Sequence, residues 1–229
     1  MEMIRYNYEH GEGTEIDLER SFHWYKIAAE NDNVKGQFNV AVSYDFGQGV
    51  QQNTKNALYW YTKAAESGHR KAQYNLAISL ENGEGIETNL EKSCYWYRKS
   101  AENGHPRAQF NLGMNYSTGL GVKLDREEAL YWFKKSSSNG HTKATYKSAL
   151  WTEEGIGTIV DYYQSYKYYI TLLSCGDEFY ISKSNERMKK FQLMGWPKPN
   201  DFYKWYVNLT TKNEKINELS DVLIFCENE

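Results

Sequence analysis

Cysteine is sparse in this sequence, three residues in 229, and Cys94, Cys175 and Cys226 show neither close pairing nor regular spacing. That distribution argues against a disulfide framework and fits a reducing compartment. Surplus positive charge is missing too: the formal net charge is -3, whereas a surface built for phosphate backbones needs a strongly basic balance. Long apolar runs are lacking, since no window approaches the roughly 20 residues a membrane span requires. Met1 to Gly13 has no apolar stretch of the kind a secretion signal carries. The expectation is a soluble, cytoplasmic chain (in host cytosol, should the source be a virus or an intracellular microbe), with no membrane or nucleic-acid partner. Asn115-Tyr116-Ser117 and Asn208-Leu209-Thr210 match the glycosylation sequon, which has no consequence without export.

What the chain does have is a period. Trp24, Trp60, Trp96 and Trp132 are each 36 residues apart, and one step further stands Tyr168. Glycine pairs keep the same beat at Gly11/Gly13, Gly47/Gly49, Gly83/Gly85, Gly119/Gly121 and Gly155/Gly157. Two residue types in phase over five cycles define a repeat protein, whose function belongs to a stacked surface before a single pocket. Aromatics reach 16%, and Tyr alone counts 20. Tyr therefore takes core positions that Leu or Phe would otherwise fill, bringing polar tips into large apolar contacts.

One repeat shows the pattern. Ala72 to Leu80 has helical spacing of apolar residues and no breaker, and Gly83 suits a left-handed stop after the last turn. A short loop through Gly85 and Ile86 leads to a side chain that can cap a second helix, a position held in turn by Asp17, Asn53, Asn89, Asp125 and Asp161. Replacing one cap with Ala should cost about 1 kcal/mol. The second helix runs through Ser93, Trp96, Tyr97, Ser100 and Ala101 to Gly104, and Gly68, Gly140 and Gly176 mark the same turn elsewhere. Small residues at Ser21, Ala57, Ser93, Ala129 and Ser165 lie three before the aromatic. They let a neighbouring helix approach while the Trp fills the adjoining gap, so truncating Trp96 is expected to cost roughly 3–5 kcal/mol.

Ala-Gln-Tyr-Asn-Leu-Ala from residue 72, then Gly-Glu-Gly-Ile from residue 83, then Tyr-Trp-Tyr-Arg-Lys-Ser-Ala-Glu-Asn-Gly-His at 95–105 resemble the Sel-one-like repeat, a relative of the tetratricopeptide repeat. The resemblance covers about residues 1–177 and is strongest between 34 and 141. It implies an all-α, right-handed α/α superhelical solenoid of about five 36-residue helix-turn-helix repeats. It also implies a family role in protein–protein interaction, as adaptor, scaffold or assembly factor. Some Cys-rich bacterial members pair two cysteines in each repeat; those pairs are missing here, so that branch and its enzymatic activity are not supported.

The units run approximately 1–33, 34–69, 70–105, 106–141 and 142–177. The chain begins inside the first helix of unit one, since Ile4 aligns with Val40 and Leu76. In the fifth unit Tyr168 replaces Trp, and Ser148 stands where Leu112 stood. Residues 178–229 read as a degenerate repeat and C-terminal capping helices, broken at Gly195-Trp196-Pro197-Lys198-Pro199. Asn200 is expected to cap a helix over Asp201 to Thr211, and the tail with Leu219, Val222, Leu223, Ile224 and Phe225 is expected to be helical and to pack on the last repeat. Such an end piece keeps a stack soluble; a partner-binding tail is the rival reading.

Ligands of a solenoid are sought on the first helix, which the resemblance puts on the concave side. There Val40, Ala41 and Tyr44, repeated as Leu76, Ala77 and Leu80 and as Leu112, Gly113 and Tyr116, form the packing stripe. A second face carries four rows. The first is basic (Lys35, Lys71, Arg107, Lys143) and the second aromatic (Phe38, Tyr74, Phe110, Tyr146). The third is aliphatic (Val42, Ile78, Met114, Leu150) and the last mostly acidic (Asp45, Glu81, Ser117, Glu153). An apolar floor between rims of opposite sign suits an amphipathic helix or an extended peptide. The plainer reading is that the aromatics pack between successive first helices and the charges are a solvated face. Yet cations near helix N-termini and acids near C-termini oppose the macrodipole by about 0.3–1 kcal/mol each, which leaves room for a compensating benefit.

Chemistry is not suggested by position. His69, His105 and His141 occupy the same turn in successive repeats, roughly 10 Å apart for packed helices, while zinc needs several nitrogens about 2.1 Å from one ion. These imidazoles are expected to cap helix ends or pack in the turn. The Gly-x-Gly turns lie between helices and lack the Lys-Ser/Thr of a phosphate loop. Gln73, Asn75, Gln109 and Asn111 fit hydrogen bonding within the repeats. The expectation is a non-enzymatic module that binds a protein or peptide, with no cofactor and no metal. Self-association through an unfinished face at Met1, Met3, Ile4 and Tyr6 is the alternative, and a hydrolase akin to the Cys-rich relatives a weaker one.

Overall fold

Short polar caps and left-handed glycines cut this chain into helices of nearly equal length. The computed structural model describes residues 17–193, and among them ten helices and no strand occur. The expected first turn at Gly11/Gly13, the face at Met1, Met3, Ile4 and Tyr6, the break at 195–199, the Asn200 cap and the tail apolar residues lie outside the described residues. Two compact units are formed, Met1–Asp161 and Tyr162–Glu229.

In the first unit, helices alternate between two kinds. The first helices of the repeats are α2 (Val34–Phe46), α4 (Arg70–Asn82), α6 (Pro106–Thr118) and α8 (Thr142–Glu154). The second helices are α1 (Leu18–Glu30), α3 (Thr54–Glu66), α5 (Leu90–Glu102) and α7 (Arg126–Ser138). Asp17, Asn53, Asn89 and Asp125 cap the second helices as expected, each accepting from a backbone N–H within the first turn. Each first helix ends on a glycine with positive φ: 68° at Gly47, 77° at Gly83, 76° at Gly119 and 69° at Gly155.

The second glycine of the pair has a different reason. A Cβ on Gly49 would lie 2.0 Å from the Leu18 carbonyl oxygen, and one on Gly121 would lie 2.1 Å from that of Leu90. The loop leaving one first helix therefore rests its backbone on the start of the preceding repeat's second helix, where any side chain would intrude.

The stripe of Val40, Ala41, Leu76, Ala77, Leu80, Leu112, Gly113 and Tyr116 is buried. Facing it, the small residues Ser21, Ala57, Ser93 and Ala129 are buried as well, and the Ser93 hydroxyl donates to the Ala77 carbonyl at 2.8 Å. The expectation for tryptophan needs correction. Trp132 is buried at 5% exposure, but Trp24 is 36% exposed and Trp60 and Trp96 are only half-buried. The aromatic that fills the core is the next residue: Tyr25, Tyr61, Tyr97 and Phe133 are buried, Tyr97 at 0%. Spacing explains the exchange. The small residues precede these rings by four positions and the tryptophans by three, so the buried line runs through the i+4 partner and the indole sits at its edge.

Repeats are also tied by amides. Gln73 donates through Nε2 to the Ala65 carbonyl at 3.1 Å and accepts at Oε1 from Asn103 at 3.0 Å. Gln109 repeats this with Ala101 and Asn139 at 3.0 and 2.9 Å. Each glutamine thus joins the last turns of two successive second helices. In the second unit, α9 (Tyr162–Leu173) and α10 (Glu178–Leu193) pack through Phe191, whose ring lies 5.5 Å from that of Tyr162 and 6.1 Å from those of Tyr166 and Tyr169.

Candidate functional site

Positions two residues into each first helix carry Lys35, Lys71, Arg107 and Lys143, all exposed. No acidic residue occupies the first turn of any of these helices. The basic row is therefore present as a surface feature, with no acid in the same helical turn.

Behind it, Phe38, Tyr74, Phe110 and Tyr146 are half-buried. Three of them stack on the N-cap histidine of the following repeat: Phe38 on His69 at 4.4 Å, Tyr74 on His105 at 4.6 Å and Phe110 on His141 at 4.8 Å. The same rings touch the second helix, with Tyr74 5.9 Å from Tyr97 and Phe110 5.6 Å from Phe133. Packing between successive first helices is thus one task of these aromatics, and each still leaves part of its surface outward. Val42, Ile78, Met114 and Leu150 are half-buried in the next row.

The histidines do cap helix ends. Nδ1 accepts from Ala72 N at 3.3 Å in His69, and from Ala108 N and Ala144 N at 3.2 Å in His105 and His141. That geometry requires neutral imidazoles. Burial, then the charges of Arg70, Arg107 and Lys71, lower the His105 pKa to about 4. His69 and His141 are lowered by burial and then by the cations around them. Among the described residues no cluster of His, Cys, Asp and Glu could hold a metal ion.

The acidic row has an internal occupation. Tyr61 donates its hydroxyl to Asp45 at 3.0 Å, and Tyr97 donates to Glu81 at 2.5 Å. Burial first, reinforced by those carboxylates, raises both phenol pKa values. Where the row has Ser117, the partner ring is Phe133 and the serine donates to the Met114 carbonyl instead. The acids at these half-buried positions balance tyrosines, a reason for their placement at helix C-termini that a face-by-face reading of the sequence does not reveal.

A second repeated surface escaped the sequence reading. On the second helices Tyr59, Tyr95 and Tyr131 are exposed, with the ammonium of Lys63, Lys99 and Lys135 lying 5.3, 5.7 and 5.1 Å from the respective ring centres. Its signal is a Tyr-x-x-x-Lys spacing recurring every 36 residues. Cys94 is buried, and burial raises its thiol pKa, so it is a poor nucleophile. Among the described residues no helix is long and apolar enough to cross a membrane.

The family model described as Sel1 repeat matches residues 6–33, 34–69, 70–105, 106–141 and 142–177. A Sel1 repeat protein from Oxalobacter formigenes is similar at 32% identity, over 76% of this chain and 72% of that one, with a TM-score of 0.71. A protective antigen of uropathogenic Escherichia coli strains, displaying an SLR fold, is similar at 27% identity with a TM-score of 0.79. That match takes in 92% of this chain but 45% of the antigen, so the chain spans less than half the antigen's length. No curated protein matches the chain.

Proposed function

This chain belongs to the Sel1 repeat family, whose members are generally protein-interaction scaffolds, and from that premise we propose that it is a non-enzymatic interaction module whose first-helix face takes up a polypeptide partner. One observation carries the reading. Exposed cations recur at the same place in four successive first helices, each beside an aromatic that is only half-buried. A surface of that kind offers an apolar floor and fixed charge along one line, as peptide-binding grooves do. The surface is preorganised, since stacking on His69, His105 and His141 holds Phe38, Tyr74 and Phe110 in place. Little side-chain entropy is then left to lose on binding.

The test is site-directed photocrosslinking. A photoreactive amino acid placed at Lys35 or Lys143 should give a discrete protein adduct in extract of the producing cells, and one placed at Tyr95 or Tyr131 should give none. Adducts formed only from the second-helix positions overturn the assignment of the face.

A further inference from the structure

Resting on that reading of the face, we infer that its partner is an acidic, extended polypeptide segment whose carboxylates recur every third residue, meeting Lys71, Arg107 and Lys143 in turn. Read in sequence alone, the face has rims of opposite sign, which would suit a partner carrying both charges. Folding engages part of one rim. Asp45 and Glu81 turn to Tyr61 and Tyr97 and are half-buried, the third position is Ser117, without charge, and the fourth acid, Glu153, is half-buried as well. The fully exposed charges of these rows are of one sign.

Lys71, Arg107 and Lys143 are exposed and have no carboxylate within ion-pair distance among the described residues. Every charge that shifts His69, His105 or His141 belongs to a lysine or an arginine, and all of them lower its pKa. This line is cationic although the chain as a whole carries -3. An acidic ligand there is complementary both to the side chains and to the helix N-termini that bear them.

Spacing selects the form of the ligand. Packed helix pairs repeat at roughly 10 Å, and an extended chain advances about 3.3 Å per residue, so three residues span one repeat. One of the two residues between successive carboxylates then passes over Tyr74 or Phe110, where an apolar side chain finds the exposed part of the ring. A nucleic acid is disfavoured, because one cation per repeat neutralises few phosphates and the net charge is negative.

Fluorescence anisotropy with labelled synthetic peptides tests this. A peptide of repeated Glu-Leu-Ser triplets should bind the full chain and weaken at least tenfold between about 20 and about 300 mM salt. A peptide of the same composition with its glutamates grouped at one end, and one of Lys-Leu-Ser triplets, should bind at least tenfold less well. The double charge reversal Lys71→Glu, Arg107→Glu should lose binding at least tenfold while keeping the helical circular dichroism and melting temperature. The neutral pair Lys71→Gln, Arg107→Gln should fall between. Equal binding of the grouped or basic peptide, indifference to charge reversal, or tighter binding of oligo-dT would each overturn the inference. Should the triplet peptide fail while photocrosslinks form from Lys35 and Lys143, the face stands and its acidic ligand does not. Crosslinks confined to Tyr95 and Tyr131 would remove both.

Discussion

Tyr97 and Glu81 are bound as a pair, hydroxyl to carboxylate at 2.5 Å, and the next repeat replaces both members at once, with Phe133 and Ser117. Asp45 and Glu81 are each matched to a phenol sixteen residues on, and the array contains its own version without either. A buried polar group that loses its partner costs more than the absence of both.

A double-mutant cycle checks this pairing. Tyr97→Phe alone should cost about 1 kcal/mol in urea unfolding, and Glu81→Ser about as much. The double variant, which copies the Phe133 and Ser117 arrangement, should cost less than the sum by roughly 0.5–1 kcal/mol. Strict additivity would show that the pair is not a unit.

Ser67 should be improved by asparagine. It occupies the place of Asn103 and Asn139, which satisfy Gln73 and Gln109, and the Gln37 Oε1 atom is buried without a hydrogen-bond partner. The backbone is already suitable, with φ and ψ of -79° and 8° at Ser67 against -78° and 12° at Asn103. Ser67→Asn should raise stability by about 1 kcal/mol, read as a higher denaturant midpoint; no gain would mean that Gln37 finds its partner elsewhere.

Asp32 has φ of 57° where the later repeats place Gly68, Gly104 and Gly140. Left-handed backbone strains an L side chain, though Asp bears it better than most. Asp32→Gly should give a net gain of roughly 0.5 kcal/mol once the greater unfolded freedom of glycine is counted. A lower melting temperature would point to an interaction of the carboxylate that outweighs the strain.

Acid should weaken the fold before the carboxylates titrate. An unfolded imidazole takes up its proton near 6.5, whereas His105 resists until about 4. Across that window the unfolded state binds more protons, so stability, complete above pH 6.5, is lost as the pH falls from 6.5 toward 4. His69 and His141 are lowered in the same direction. Melting temperatures at stepped pH should show the decline, and His105→Asn, which keeps a capping side chain as Asn33 does, should flatten it. An unchanged slope in that variant would remove His105 as a source.

The architecture was legible because it is written redundantly: the 36-residue step of Trp and Gly, the caps at Asn53, Asn89 and Asp125, and the stops at Gly47 and Gly83 each report the same hairpin of helices. The capping of the histidines could be read from their place after a turn. Which of Trp96 and Tyr97 enters the core could not, because neighbouring residues on a helix both fall within a broad apolar arc and only the small residue at 93 decides. The occupation of Glu81 was hidden for a different reason. Rows are read along one kind of helix, and its partner lies on the other kind, although the joint change at Ser117 and Phe133 was present in the letters.

Backbone lies directly on backbone at Gly49 and Gly121, so main-chain contact helps to set the distance from one repeat to the next. Residues on the outward faces can accordingly be exchanged singly while the metre that sets the next row stays fixed. An array made in this way can change what it recognises without relearning how to fold.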